Sequence, residues 1–367
     1  MRFSITREAL LRPLALVAGV VERRQTLPVL SNVLIQVDQE QVALTGTDLE
    51  VELIGRTAAS QVDVAGAVTV PARKLMDICK SLPDQAELQF SLEDGRAVLR
   101  SGRSRFTLST LPVAEFPNIE DSAGDVELSL PRGTLKHLID ATSFAMAQQD
   151  VRYYLNGMLL ELRSNLVRTV ATDGHRLAVC SRPAEIQVEP ARKLIVPRKG
   201  VLELVRLLDD SDEPVTLTLS ASHVRAHTGD FTITSKLVDG KFPDYERVVP
   251  RGGDKVFIAE RAELRQVLSR TSILSNEKYR GVRLHLREGN LQVMANNPEQ
   301  EEAEENVAVE YGGDGLEIGF NVGYLIDVLN VIGEDRVQMT LADSNSSALM
   351  EEPGGGDALY VVMPMRL

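Results

Sequence analysis

The side chains able to carry out covalent chemistry are few and poorly placed for it. Five histidines (His137, His175, His223, His227, His285) show no HExxH spacing, so no helix face presents a protease-type zinc pair. Asp173 and His175 have the types of an acid–base pair. The matching places later in the chain hold Asn297 and Glu299, and no nucleophile is marked. Asp209-Asp210-Ser211-Asp212-Glu213 has the charge of a cation loop but follows a helical stretch and reads as a solvated turn. Gly354-Gly355-Gly356 reads as a hairpin loop, and no Walker-type loop is present. Two cysteines, Cys79 and Cys180, exclude a disulfide framework and a cysteine-built metal site, and both are expected as buried thiols in a reducing cytosol. The expectation is a protein with no catalytic residue, no metal and no cofactor.

The elements that position the remaining polar groups are repeated. Leu75, Met76, Ile78, Cys79 and Leu82 have the offsets of one buried helical face. The same offsets recur at Val201, Leu202, Leu204, Val205 and Leu208, and again at Leu325, Ile326, Val328, Leu329 and Ile332, at steps of 126 and 124 residues. Leu10, Pro13 and Leu14 match Leu135, Leu138 and Ile139, then Leu264, Val267 and Leu268. Thr47-Asp48 matches Thr172-Asp173 and Asn296-Asn297, while Phe106 to Thr110 matches Phe231 to Ser235. Phe116-Pro117-Asn118 matches Phe242-Pro243-Asp244. An ordered series in constant register implies three homologous domains: 1–125, 126–253 and 254–367.

Each unit reads as a short strand (Arg2–Ile5, Glu127–Leu130, Val256–Ala259) leading into a helix. Alternating strands follow, such as Val33–Val37 with Val42–Leu44. A second helix starts after Val70-Pro71 or Val196-Pro197, and strands such as Glu87–Leu92, Ala97–Arg100 and Arg105–Leu111 finish the unit. The expected class is α+β, with two helices per domain packed on antiparallel sheets. Each domain has the element order of two half-repeats.

Charge is distributed unevenly over these elements. The helical windows 7–12, 73–80, 132–140, 198–206, 260–270 and 321–332 hold 13 cations and 7 anions, a balance of +6. The whole chain carries −13, so the remainder carries about −19. If the helix pairs share one side, that side attracts a phosphate backbone without reading its sequence. Arg23-Arg24 and the Gln148 to Tyr154 loop would add contacts, with tyrosines able to stack on bases. Arg96, Arg100, Arg103 and Arg105 form a basic run in the first domain; Glu299, Glu301, Glu302, Glu304 and Glu305 form an acidic one in the third. Opposite runs at opposite ends imply head-to-tail association with Phe106, Ile273 and Leu274 as apolar centre, covering an exposed sheet edge.

A chain of 367 residues, 43% hydrophobic and 25% charged, buries a sizeable core. The longest apolar run, Leu14 to Val21, is too short for a membrane span, and Glu22-Arg23-Arg24 follows it rather than a small-residue cleavage site. No export and no membrane partner are expected, and a cytoplasmic location follows.

The repeats, together with Thr172 to Leu177 (TDGHRL), Asp239 to Tyr245 (DGKFPDY) and the terminal Met363 to Leu367 (MPMRL), resemble the bacterial DNA sliding clamps, the beta subunit of DNA polymerase III. The resemblance covers the whole chain. It implies the DNA clamp fold, with each chain forming half of a closed head-to-tail homodimeric ring around duplex DNA. The implied role is a non-catalytic processivity factor. Implied partners are sequence-independent double-stranded DNA, the replicative polymerase catalytic subunit, an ATP-dependent clamp loader, and other polymerases and repair proteins through short linear peptides. By the resemblance, DNA contacts map to Arg24, Arg73, Lys74, Gln149, Tyr153, Tyr154, Arg198 and Lys199. The partner-peptide pocket maps to Leu155, Thr172, Gly174, His175, Arg176, Leu177, Pro243, Arg247, Val248, Asn321, Tyr324, Val361, Met363, Pro364, Met365 and Arg366. The dimer joint maps to Lys74, Arg96, Arg103, Arg105, Phe106 and Leu108 against Ile273, Leu274, Glu299, Glu301, Glu302, Glu304 and Glu305. By the resemblance Asn345 stands near the pocket rim, where relatives can carry an apolar side chain. The alternative reading is a repeat-built interaction scaffold without DNA binding.

Overall fold

The computed structural model describes residues 1–22, 27–119 and 124–366. Each repeat runs twice through one order of elements: a strand, a helix and three strands. The first repeat comprises β1 (Arg2–Thr6), α1 (Arg7–Val20), β2 (Asn32–Val37), β3 (Gln41–Thr47) and β4 (Val51–Ala58). After a short β5 (Gln61–Val64) come β6 (Gly66–Pro71), α2 (Ala72–Ser81), β7 (Glu87–Glu93), β8 (Arg96–Ser101) and β9 (Ser104–Leu108). The second comprises β10 (Val126–Pro131), α3 (Arg132–Thr142), β11 (Gly157–Arg163), β12 (Leu166–Thr172) and β13 (Arg176–Pro183). Then follow β14 (Arg192–Pro197), α4 (Arg198–Val205), β15 (Pro214–Leu219), β16 (His223–Thr228) and β17 (Phe231–Lys236). The third comprises β18 (Lys255–Glu260), α5 (Arg261–Thr271), β19 (Gly281–Arg287), β20 (Asn290–Asn296) and β21 (Glu302–Glu310). It ends with β22 (Leu316–Asn321), α6 (Val322–Val331), β23 (Arg336–Leu341), β24 (Ala348–Glu351) and β25 (Ala358–Val362).

Long-range pairing makes the sheet, rather than the repeat, the unit of packing. The chain divides into two compact units, Met1–Leu135 with Lys199–Leu237, and Lys136–Arg198 with Val238–Leu367. The first unit holds a five-stranded sheet ordered β5-β1-β7-β8-β9 and an eight-stranded sheet ordered β10-β15-β16-β17-β4-β3-β2-β6. The second holds a twelve-stranded order, β14-β11-β12-β13-β25-β24-β23-β18-β21-β20-β19-β22. Repeats one and two are thus joined by β4 against β17, and repeats two and three by β13 against β25, both antiparallel.

Helix faces follow the apolar spacing. On α2, Ala72, Leu75 and Cys79 are buried while Arg73, Lys74 and Asp77 are exposed. Thr6 caps α1 by accepting from the Ala9 N–H at 3.4 Å, and the helix runs through Pro13 to Val20. That extension adds no charge, and because Arg206 and Glu260 lie outside α4 and α5 the six helices hold 12 cations and 6 anions, still a balance of +6. Leu202, expected on the buried face of α4, is 39% exposed because the offset-one position lies at the rim of the apolar stripe. Strand β9 stops at Leu108 rather than Leu111; Leu111 instead makes a single bridge to Thr69. Gly354 and Gly355, both at positive φ, turn the β24–β25 hairpin. Both thiols are free and buried, and burial pushes Cys79 up to about 11.

Candidate functional site

The apolar groove of the second unit is built around the turn between β12 and β13. Thr172 Oγ1 donates to the Arg176 carbonyl at 2.6 Å and accepts from the Gly174 N–H at 3.1 Å. Asp173 Oδ1 accepts from the His175 and Arg176 N–H groups at 2.9 and 3.0 Å. Gly174 takes φ +88°, and a Cβ there would meet the Arg152 guanidinium at 2.9 Å, so a larger residue is strained at this turn. The turn stacks His175 on Tyr324, centroids 6.2 Å apart and planes 18° apart. The Arg176 guanidinium lies 4.6 Å from the Tyr324 ring centre and 5.2 Å from that of Phe144. It also pairs with Asp173 at 3.1 Å and with Asp327, and donates to the Phe144 carbonyl at 3.0 Å. Burial, then the Asp173 charge, pushes the Tyr324 hydroxyl up.

The chain's tail completes the groove. The Met363 N–H donates to the His175 carbonyl at 2.9 Å, and the Met365 N–H to the Gly319 carbonyl on β22 at 2.8 Å. Asn321 caps α6 by accepting from the Gly323 N–H at 2.9 Å and donates to the Tyr279 carbonyl at 3.2 Å. Leu177 and Val361, opposite each other in the ladder, form a buried cluster with Leu159, Val170, Phe242 and Tyr245. Leu155 is buried, whereas Val248 and Met363 are partly exposed, and Pro364 and Met365 are half-buried. Pro243 and Arg366 are exposed, and Arg247 pairs with Asp244 at 2.8 Å. Asn345 is exposed and donates its backbone N–H to Asp343 at 2.8 Å. Sequence reasoning missed Asp327 and Phe144, which lock Arg176. Asp327 was findable, since it sits three residues after Tyr324 on one helix face; Phe144 gave no signal.

Beneath this floor Glu161 is fully buried. Burial pushes its carboxyl up, but the Tyr245 hydroxyl donating at 2.7 Å and the Arg163 ion pair outweigh that, holding it below the ordinary 4.5.

The expected phosphate contacts divide between the units. In the first, Arg12, Arg73, Lys74 and Lys80 are exposed on α1 and α2, which pack together, and none has an ion pair among the described residues. Lys199 differs: its ammonium donates to the Val20 carbonyl at 2.9 Å, to Glu22 at 3.0 Å and to Asp48, which neutralises it. Arg24 lies outside the described residues. In the second unit the loop before β11 is pinned by the Arg152–Asp150 pair at 2.8 and 3.0 Å; the Arg152 hydrogen bonds hold the Asp150 carboxyl down at about 2. Gln149 is exposed at positive φ, and Arg198 is half-buried against the Met146 carbonyl at 3.3 Å. Tyr153 is 58% exposed, whereas Tyr154 packs on the groove cluster, their rings edge-on at 5.9 Å. Tyr153–Leu155 is a 3₁₀ turn. Val151, 95% exposed at the loop tip, was not assigned a role from sequence.

Two of the open strand edges among the described residues carry the residues expected at the dimer joint. Strand β9 ends the five-stranded sheet, carrying Arg105, Phe106 and Leu108; Arg103 precedes it, and Arg96 opens β8. Arg105 and Arg100 both reach Glu93, at 3.5 and 3.4 Å. Strand β21 pairs along its length with β20 but meets β18 only at Val309 and Glu310, leaving Glu302 to Ala308 unpaired on one side among the described residues. Ile273, 76% exposed, and the half-buried Leu274 follow α5, whose Arg270 holds Glu305 at 2.8 Å. Glu299, Glu301, Glu302 and Glu304 are exposed.

Fold and site define the class: three tandem clamp domains, each carrying helices on antiparallel sheets, with an apolar groove where the second meets the third. Family models for the N-terminal, central and C-terminal domains of the DNA polymerase III beta subunit match residues 1–120, 129–244 and 246–366. The chain belongs to the DNA polymerase III beta subunit family, the beta sliding clamps. It is 62% identical to the beta sliding clamp of Pseudomonas aeruginosa and 55% identical to that of Escherichia coli, with 100% of each chain covered. Among solved structures, a Pseudomonas aeruginosa sliding clamp bound to griselimycin superposes with a TM-score of 0.97 at 62% identity, covering 100% of both chains. The Caulobacter crescentus polymerase III beta chain gives 0.93 at 39% identity, also covering 100% of both.

Proposed function

We propose that two copies of this chain close head to tail into a ring around duplex DNA and tether a polymerase to it. One observation carries this reading. The β4-type strand of each repeat pairs with the β17-type strand of the next, and this rule is satisfied twice within the chain. Its third instance needs β21 against β9, both of which have an open edge. Transferring the register of Gly55 opposite Phe231 and Cys180 opposite Ala358 places Glu305 of one copy opposite Phe106 of the other. Arg96, Arg103 and Arg105 then face the Glu299, Glu301, Glu302 and Glu304 run, with Lys74 beside it, and Ile273 and Leu274 meet Phe106 and Leu108. Two copies with three domains each give a closed, isologous-free contact that removes both edges.

Arg24, Arg73, Lys74, Gln149, Tyr153 and Arg198 meet phosphates and bases without reading sequence. Weak contacts suffice, because a closed ring leaves a duplex only over its end. Tyr154 and Lys199 position their neighbours. The groove takes short peptides with apolar anchors, from the replicative polymerase subunit, other polymerases and repair proteins. An ATP-dependent loader opens the ring. Tethering turns rebinding into a local event at high effective concentration. The joint near 125 falls in the gap between the first two family-model matches, 1–120 and 129–244, whereas the third match begins at 246, ahead of the joint near 253; the two free thiols support a cytoplasmic site of action.

The test is topological. Clamps loaded on nicked circular DNA should survive a high-salt wash yet be lost when the circle is cut. Equal loss from circular and linear DNA contradicts encirclement, and no retention at any salt favours a scaffold that does not bind DNA.

A further inference from the structure

One cluster of metal-ligating side chains takes no part in the reading above. His137 on α3, Cys180 on β13 and Asp357 just before β25 bring an imidazole nitrogen, a thiol sulfur and a carboxylate oxygen within 4.8 Å of one another. His137 Nε2 and Asp357 Oδ2 are 3.0 Å apart. Cys180 is buried, while the His137 and Asp357 side chains are 42% and 25% exposed, so one side of the cluster opens to water. The backbone beneath is fixed: the Ser181 N–H donates to the Asp357 carbonyl at 2.7 Å, and Cys180 stands opposite Ala358 in the ladder. Two charged groups border the cluster. Arg182 pairs with Asp357, and Glu352 acts on the Cys180 thiol.

We propose that His137, Cys180 and Asp357 bind a zinc ion, with water from the open side as the fourth ligand. Thiolate, imidazole and carboxylate are the donors zinc takes. Bonds of about 2.3 Å to sulfur and about 2.0 Å to nitrogen and oxygen, arranged tetrahedrally, separate the donors by roughly 3.3–3.6 Å. The present spacing closes to that by turning the two exposed side chains. On binding, the thiol gives its proton to solvent as the zinc–sulfur bond forms, with no change of oxidation state. Zinc replaces Arg182 as the partner of Asp357, and Arg182, 44% exposed, turns to water. The cluster belongs to the second junction alone. Arg12, Gly55 and Asp230 hold the equivalent places at the first, where the Arg56 N–H donates to the Asp230 carbonyl at 2.9 Å in the same way.

Cobalt(II) is the probe, added to the full-length chain. The expected result is a near-ultraviolet thiolate-to-cobalt charge-transfer band that saturates at one ion per chain and disappears on adding zinc. C79S keeps the band and C180S loses it; H137Q and D357N each weaken the affinity. No thiolate band in the unmodified chain overturns the site, and this result needs no variant to fold. A band that survives in C180S, or an affinity unchanged in both H137Q and D357N, overturns it equally.

Discussion

The two junctions within the chain share one backbone and differ in what they present. At the first, Asp48 Oδ1 accepts from the Glu50 and Val51 N–H groups at 2.9 and 2.7 Å, as Asp173 does at the second. The Lys236 N–H donates to the Glu50 carbonyl at 2.9 Å, matching Met363 and His175 to the tenth of an ångström. The side chains diverge. Glu52 opposite Thr234 stands where Leu177 opposes Val361, and Lys236 stands where the second junction has Met363. Glu52 accepts from the Ile119 N–H at 3.3 Å, and Arg225 donates to Thr234 at 3.2 Å. The resulting cavity is lined by Gln36, Thr45, Glu52, Arg225 and His227. A strand-pairing geometry therefore holds repeats together in both places. A few apolar substitutions on it make a groove that rewards burial of a partner's side chains, whereas polar groups already satisfied would lose water for no gain.

The comparison breaks most sharply at Leu177. Leu177→Glu gives the second junction the first junction's residue without its partners, among Leu159, Val170 and Val361. An unpaired buried carboxylate costs several kcal/mol, so affinity for an apolar peptide should fall about 100-fold or more. Fluorescence anisotropy with a labelled peptide measures this; unchanged affinity would remove Leu177 from the groove floor.

A smaller effect is expected at Tyr245, whose first-junction counterpart is Ile119. Tyr245→Phe removes the donor to Glu161 and the acceptor for Arg168, at 2.7 and 2.9 Å, and should cost about 1–3 kcal/mol in denaturant unfolding. The folded Glu161 carboxyl is held below its ordinary value of 4.5, so its contribution is complete above that pH and is lost as the pH falls through the folded value. The gap between Tyr245→Phe and the parent chain should therefore narrow on acidification below pH 4.5. A constant gap would assign the loss to packing alone.

The smallest effects lie in the turns. Gly174 at φ +88° and Leu49 at φ +78° occupy the same position in the two junctions. Gly174→Ala should cost about 1–2 kcal/mol, and Leu49→Gly should change stability by at most about 1 kcal/mol, in the stabilising direction. Melting temperatures of the two variants check the signs, and equal losses would show that the turns are not equivalent.

Much of the fold was legible because helix faces and strand alternation are local patterns repeated three times. Of the fifteen positions given by the helical offsets, Leu75, Cys79, Val201, Leu208, Leu325, Val328, Leu329 and Ile332 are buried, Leu202 is exposed, and the other six are half-buried at the rim of the stripe. Legibility fell where geometry depended on distant residues. The sequence does not reveal that Lys199 sits beside Asp48 and Glu22, or that Tyr154 packs on the groove cluster. The Lys199 pairings join residues more than a hundred positions apart, and the cluster under Tyr154 gathers side chains from Leu159 to Val361, both beyond any local period.

The amino-acid order alone determined the three repeats, the sign of charge on the helices and the apolar faces, since these follow from spacing along one chain. Tertiary structure decided which strand meets which, and so where Leu177 finds Val361, which edges remain open, and that His137, Cys180 and Asp357 converge. The physical reason is that side-chain periodicity is set by backbone geometry within a few residues. Pairing between strands is instead chosen by burial and hydrogen bonding summed over a whole sheet.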